Sequence, residues 1–357
     1  MTGPAETAPG ATRGAGSPGA VSGDGGARPG SATGADRVAD RPAPEADADG
    51  VASGRAAWRR WTPLVDVPHP DLPAGVVLRA KLESVHPGGS IKDRPIARIV
   101  RRALERGDVR GRRLLDSSSG NAGIAYAQRC AALGVPLTLV VPANATRERL
   151  DRIRAHGAEL VLTDPMEGYD ATIGKARALA RRHPDRYWYA NQYGNEDNWL
   201  AHYYGTAAEL LAEWTDTLGR ALPDAFVTGI GTGGTLTGVG RRLKIQQGDA
   251  RIVAVIPERF PGIEGLKPLG QPDDHVPEIL DETLIDDRIP VTSEQAADRC
   301  AELARLGLFV GPSSGANVHA ALELAASGRA RRIATVLPDT GERYVSTGLW
   351  SSEGGAG

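Results

Sequence analysis

The sequence of 357 residues is poor in cysteine, lysine and long apolar runs, and each scarcity excludes something. Its two cysteines, Cys130 and Cys300, lie far apart without CxxC or Cys/His spacing. That leaves a disulfide framework or a zinc site without support, and both thiols read as small core residues on helix faces in a reducing compartment. No apolar stretch reaches the roughly 18 residues of a membrane span, and the N-terminus lacks the apolar segment of a secretion signal. A soluble, cytoplasmic protein is expected. The formal net charge is -2, with no basic run, which removes nucleic acid and membrane surfaces from the expected partners. Only five of the 42 basic residues are lysines (Lys81, Lys92, Lys175, Lys244, Lys267). Arginine serves wherever a bare positive charge suffices, so a lysine in a special setting is there for its amine.

The length suits two domains with ample apolar content for a large core. Residues 1–50 contain no Leu, Ile, Phe, Tyr, Trp or Cys, and such a segment cannot bury enough surface to offset its ordering entropy. Residues 1–55 therefore read as a disordered tail. An N-terminal α/β domain is expected over 56–200, a second over 201–350, and a flexible end over 351–357. In the first, a strand from Gly75 to Leu82 leads to a helix from Asp93 to Arg106. Strands at Arg113–Ser117, Leu137–Val141 and Glu159–Thr163 then alternate with helices Asn121–Leu133, Thr146–His156 and Tyr169–Arg182. In the second, helices Tyr204–Trp214, Leu236–Gln246, Glu294–Leu306 and Gly315–Ala326 accompany strands Ala225–Gly229, Arg251–Ile256 and Arg332–Leu337. Runs such as Leu137-Thr138-Leu139-Val140-Val141 lack period-two alternation, as strands covered on both faces do. The fold class is α/β, two doubly wound domains with a cleft between them, and ligands in such sheets sit at the carboxyl ends of strands.

Four glycine or serine turns fall at such ends. In Pro87-Gly88-Gly89-Ser90-Ile91-Lys92-Asp93-Arg94-Pro95, the glycines open the backbone and Pro95 suits a first helical turn. Lys92 is thereby delivered to the positive end of a helix, where its ammonium is disfavoured and its amine becomes nucleophilic, as a Schiff-base lysine requires. Gly229-Ile230-Gly231-Thr232-Gly233-Gly234-Thr235 follows a strand and opens a helix, so its N–H groups can face one phosphate. It is neither a P-loop nor a good dinucleotide fingerprint. Ser117-Ser118-Ser119-Gly120-Asn121 caps a helix with more hydroxyls than a cap needs, which suits a carboxylate or a ring oxygen. Gly311-Pro312-Ser313-Ser314-Gly315 repeats the arrangement.

An amine-bearing lysine, a phosphate cup and hydroxyl-lined helix starts together point to pyridoxal 5'-phosphate. The sequence also resembles the cysteine synthase / cystathionine β-synthase family of fold-type-II pyridoxal enzymes from about Trp61 to Trp350, nearest its B-type cysteine synthases. Seven stretches carry the likeness in order, from Lys81-Leu82-Glu83 and Gly89 to Arg94, through Ser118 to Asn121, Asn191-Gln192-Tyr193 with Asn195, Asn198 and His202, and Gly231 to Thr235, to Ser313 to Ala316 and Asp339 to Tyr344. The resemblance implies a tryptophan-synthase-β-like architecture with the cofactor between domains. It implies Lys92 as the Schiff-base lysine and catalytic base, Asn121 at the cofactor's ring oxygen, Gly231, Thr232, Gly233, Gly234 and Thr235 on its phosphate, and Ser313 at its pyridine nitrogen. Ser118, Ser119, Gly120 and Gln192 would take the substrate carboxylate, and no metal is implied. A neutral serine at the pyridine nitrogen makes a milder electron sink than an aspartate partner. Ala122 stands where cysteine synthases usually carry threonine, and His86 where asparagine is usual.

The implied reaction is β-replacement through aminoacrylate, forming L-cysteine from an O-activated L-serine, acetylated or phosphorylated, and a sulfur nucleophile. The nucleophile is sulfide or a sulfur-carrier protein, and the enzyme a homodimer. Alternatives are an amine nucleophile, as in diaminopropionate synthases, another thiol, as in cystathionine formation, or a nucleotide-binding or scaffold protein without activity. Arg259 and Lys267 are the candidate cations for a phosphate leaving group. Because the tail has no large apolar side chains with which to pack, deleting residues 1–55 is expected to leave turnover and thermal stability nearly unchanged; a thermal melt and an activity assay of the truncated protein check this.

Overall fold

The structure, a computed structural model, describes residues 61–118, 120–218, 221–271, 274 and 276–350. The expected tail over 1–55 and the end over 351–357 lie outside the described residues.

From β1 (Leu64–Asp66) and β2 (Val77–Leu82) the chain passes through the lysine turn into α1 (Asp93–Arg106). It then alternates as β3 (Arg113–Ser117), α2 (Asn121–Leu133), β4 (Leu137–Pro142), α3 (Arg147–Ala155), β5 (Glu159–Thr163), α4 (Gly168–Arg182) and β6 (Tyr187–Tyr189). Next, α5 (Glu196–Ala201) continues through a π-helical turn, His202–Thr206, into α6 (Ala207–Leu218). The remaining elements are β7 (Ala225–Gly229), α7 (Gly234–Gln246), β8 (Arg251–Pro257), β9 (Asp287–Val291), α8 (Ser293–Arg305), α9 (Pro312–Ala326) and β10 (Arg332–Leu337).

The strands build two sheets, one ordered β1-β2-β10-β7-β8-β9 and one ordered β5-β4-β3-β6. All pairings are parallel except β1 with β2. Each sheet is covered on both faces. Along β7, Ala225 and Val227 enter one core with β8, α8 and α9, while Phe226 enters the opposite core with Leu236, Val239 and Trp214. In the smaller sheet Leu114, Leu139 and Val141 pack under α1, α2 and α3, and Leu115 and Val140 face α4. Burial on both faces explains why these strands carry no alternation. On α1, Ile96, Ile99, Val100 and Ala103 are buried at helical spacing, and Gly107 ends the helix with φ 77° in the left-handed conformation that glycine tolerates. Cys130 and Cys300 are buried free thiols.

The doubly wound α/β class holds, but the sheets do not divide at residue 200. β2 joins the larger sheet, register-matched from Val77 opposite Arg332 to Leu82 opposite Leu337, so the N-terminal segment starts in one layer system and continues in the other. The expected helix from Tyr204 begins at Ala207, because residues 202–206 form a π-helical turn. β9 went unanticipated because Pro290 lies inside it, and proline is tolerated there only because β9 is an edge strand.

The π-helical turn is packed tightly on α7 through Gly238, where a methyl group would come within 2.4 Å of Trp199 O and 2.7 Å of Tyr203 N. Gly174, exposed on the outer side of α4, has no neighbour within 4 Å of such a methyl. Gly238→Ala is therefore expected to cost about 1–3 kcal/mol by overpacking. Gly174→Ala should gain about 0.5–1 kcal/mol from reduced backbone freedom. Chemical denaturation of the two variants checks the opposite signs.

Candidate active site

The lysine turn is held by its own side chains and by the end of β10. Asp93 accepts a hydrogen bond from Gly88 N at 2.6 Å, and its carboxylate fills the space where a Gly88 side chain would stand. Gly89 adopts φ +81°. Ile91 N donates to Pro338 O at 2.8 Å, and Ser90 bridges to Asp339, which fixes Lys92, the N-cap residue of α1, at the floor of a cleft. Lys92, Asn121 and Ser313 line it together with Gly231, Thr232, Gly233 and Thr235. Gly234 stands just behind, as the first residue of α7.

The glycine loop is shaped to close tolerances. A methyl group at Gly231 would lie 2.6 Å from Gly265 O, and one at Gly234 would lie 2.0 Å from Asn198 Oδ1, while Gly233 needs φ +85°. The first N–H groups of α7 have no intrahelical acceptor by construction, and the helix opens at the cleft, which Thr232 and Thr235 line. Asn198 donates to Thr232 Oγ1 at 3.1 Å and to Gln192 O at 2.7 Å. Behind Thr235, His202 approaches its hydroxyl at 3.4 Å. Burial, aided by the nearby Arg94 charge, brings this imidazole down to about 3, so it is neutral. A helix start, two hydroxyls and a lysine amine form a donor set whose chemistry fits pyridoxal phosphate.

Asn121 has both ends of its amide engaged. Its Nδ2 donates to Asp339 Oδ2 at 2.6 Å, and its Oδ1 accepts from Arg343 Nη1 at 2.5 Å. Arg343 also donates to Gly88 O, and Tyr344 OH donates to Asp339 Oδ2 at 2.6 Å. Asp339 Oδ1 is buried without a hydrogen-bond partner among the described residues. Asn317 ties the floor together, accepting from Gly229 N at 2.8 Å and donating to Val336 O at 3.0 Å. Asp339, Arg343 and Tyr344 were within reach of sequence reasoning, as members of a matched stretch without an assigned role. Asn317 carried no signal of its own.

The expected carboxylate residues gather beside the cleft. Ser118 Oγ accepts from Gly123 N at 2.9 Å, as a helix cap, and Gln192 Nε2 donates to Ser117 O at 3.0 Å. Gly120 is the N-cap of α2, and Ser119 lies outside the described residues. The two candidate cations for a phosphate leaving group do not reach the cleft lining. Arg259 is half exposed and pairs with Asp274 at 2.7 Å, and Lys267 pairs with Asp170 at 3.3 Å over the Tyr193 ring. Local acids captured both, which charge in a loop sequence does not reveal.

Burial lowers the pKa of Lys92 below the ordinary lysine value, opposed by the Asp339 carboxylate. Burial raises that of Asp339, against its hydrogen bonds from Tyr344 and Asn121. The expected direction for Lys92 holds, with burial as its largest cause. Imine formation needs the neutral amine, so capture of pyridoxal phosphate by the apoprotein is expected to level off at a lower pH than for an exposed lysine. In Asp339→Asn the supporting negative charge is gone, and the plateau moves to still lower pH. Stopped-flow absorbance across a pH series checks both shifts.

A family model described as pyridoxal-phosphate dependent enzyme matches residues 57–339. A cysteine synthase of Aquifex aeolicus is 46% identical over 302 residues, covering 82% of this chain and 90% of that protein. Among solved structures, an O-ureido-L-serine synthase superposes with TM-score 0.73 at 35% identity, covering 83% of this chain and 94% of its own. The O-acetylserine sulfhydrylase isoform 3 of Entamoeba histolytica superposes with TM-score 0.72 at 34% identity, covering 83% of this chain and 90% of its own. With most of its length matched and a relative nearly half identical across it, the chain belongs to the pyridoxal-phosphate dependent enzymes.

Proposed function

We propose that the protein forms L-cysteine by β-replacement, exchanging the activated hydroxyl of an O-acylated or O-phosphorylated L-serine for a sulfur nucleophile. The observation that carries this reading is the cleft in which Lys92, the glycine loop from Gly231, Asn121 and Ser313 converge, in a chain similar to cysteine synthases. Pyridoxal phosphate, when bound, supplies an imine-conjugated ring that accepts electron density from the substrate's Cα. The chain's residues do the rest. The N–H groups opening α7, with Thr232 and Thr235, hold the phosphate, and Ser313 offers a neutral hydroxyl to the ring nitrogen. Arg343 and Asp339 grip opposite ends of the Asn121 amide and so fix its orientation towards the ring oxygen. Lys92 Nζ, with its pKa lowered by burial, takes the α-proton as base and later returns it. Ser118, Ser119, Gly120 and Gln192 receive the substrate carboxylate.

The proposal takes the enzyme as a cytoplasmic homodimer acting on small molecules, with sulfide or a sulfur-carrier protein as donor. Among the described residues no helix is long and apolar enough to cross a membrane. A second reading keeps the amino-acid half and changes the nucleophile, favoured by the equally close superposition on the O-ureido-L-serine synthase. Product analysis with O-acetyl-L-serine or O-phospho-L-serine against sulfide, amine and N-hydroxy oxygen donors separates the two. L-cysteine is expected as the main product, and a nitrogen- or oxygen-substituted product in its place would overturn the sulfur assignment. Lys92→Ala is expected to abolish turnover and the borohydride-fixable mass adduct while keeping the native far-UV spectrum; persistence of the adduct would mean that another lysine carries the cofactor.

A further inference from the structure

Glu264 lies in the connection between β8 and β9 and lines the cleft. Its carboxylate pairs at 2.5 Å with Arg149 of α3, which belongs to the smaller sheet's layer, so this ion pair bridges the two sheet systems beside the cleft. The same carboxylate stands over the start of α2, where a methyl group on Gly120 would lie 4.0 Å from Glu264 Oε1. The cleft lining reaches Asn121 and Ser313 but not Ser118, Gly120 or Gln192. A negative side chain therefore occupies the space between the cofactor seat and the loop read as the carboxylate seat.

The two partners differ in freedom. The Arg149 side chain is 15% exposed and the Glu264 side chain 43%. Arg149 is further held near the Tyr344 ring, 5.9 Å from its centroid. Glu264 stands between Gly262 and Gly265, both with positive φ, while its neighbour Ile263 is buried in the core. The backbone is thus anchored by Ile263, and the Glu264 side chain can leave towards solvent without moving it.

We propose that Glu264 is a resident carboxylate that keeps the place of the substrate's α-carboxylate, and that the amino acid enters by exchange with it. The inference rests on reading the turn from Ser118 as the carboxylate seat. Exchange leaves the charge beside Arg149 and the start of α2 unchanged, since one carboxylate replaces another. A ligand without a carboxylate cannot take over those partners, so it leaves Glu264 in place and binds without competing with it.

The test is calorimetric titration of the cofactor-loaded enzyme with L-serine and with L-serinamide, in wild type, Glu264→Gln and Glu264→Ala. Removing the competing charge is expected to tighten L-serine by about fivefold in both variants, the scale of one partly exposed ion pair. L-serinamide should change by less than about twofold, within the scatter of a surface substitution, and the KM for O-acetyl-L-serine should fall with the L-serine Kd. Unchanged or weaker L-serine binding in both variants would overturn the exchange, as would parallel changes for the two ligands. Failure of the function is distinguishable: wild type that binds L-serine yet forms no cysteine defeats the reaction assigned above and leaves the exchange standing.

Discussion

The position of Lys92 depends on a buried guanidinium two residues further on. Arg94 donates to Glu83 at 2.6 and 2.9 Å, to Glu209 at 2.8 and 2.7 Å, and to Thr62 at 2.8 Å. Burial works against all these charges, and their mutual attraction outweighs it. Glu83 is held well below the usual carboxylate range and Arg94 above the usual guanidinium range. Lys81, fully buried, extends the network to Glu209 and Glu213. Such clusters are weak sources of net stability, because desolvation offsets most of the attraction, but losing one partner strands a charge at about 3–5 kcal/mol. The network joins β1's approach, β2, α1 and α6, so the start of α1 has one position relative to the larger sheet. A lysine on that start inherits the precision.

From that anchor the cleft is assembled from ends of elements. Asp339, just beyond β10, joins the lysine turn to Asn121 at the start of α2, and Asn317 of α9 joins β7 to β10. The smaller sheet contributes to the site chiefly through Asn121 and the turn before it. Its polar contacts with the larger sheet's layer at the cleft include Asn121 with Asp339 and Arg149 with Glu264. Contacts of that kind can be exchanged for ligand contacts without disturbing an apolar core, whereas β2, β10 and β7 are locked by parallel ladders.

Much of this was legible in the sequence. The strands Arg113–Ser117, Glu159–Thr163, Ala225–Gly229 and Arg332–Leu337 and the helices Asp93–Arg106 and Asn121–Leu133 fall where pattern and punctuation put them, because buried parallel strands and amphipathic helices are set by local composition. The short strands Leu64–Asp66, Tyr187–Tyr189 and Asp287–Val291 were not legible: three residues carry no period, and Pro290 argues against a strand. That Val77–Leu82 crosses into the larger sheet is likewise invisible, since a pairing partner 255 residues away, as for Val77 and Arg332, leaves no local mark. At the site, residues whose chemistry is local, such as Lys92 and the glycine loop, could be read directly. Arg259 and Lys267 could not, because whether a loop cation is free depends on which acid the fold brings to it.

With the glycine loop proposed as the phosphate seat, the cleft's charge balance explains why that loop carries glycine rather than arginine. Among the described lining residues Lys92 is the sole Lys, Arg or His. A phosphate with no other positive partner would draw the Lys92 ammonium to itself, favour its protonated form and remove the amine from use. Donors that carry no titratable proton avoid this. Each charge-assisted hydrogen bond from a backbone N–H or threonine hydroxyl contributes about 1.5–3 kcal/mol, so a few of them hold the anion without a counter-ion. The tight approaches at Gly231 and Gly234 are the steric requirement for gathering so many N–H groups on one side. A side chain at either glycine would force the loop apart, and a phosphate there would turn to the nearest cation, which is Lys92.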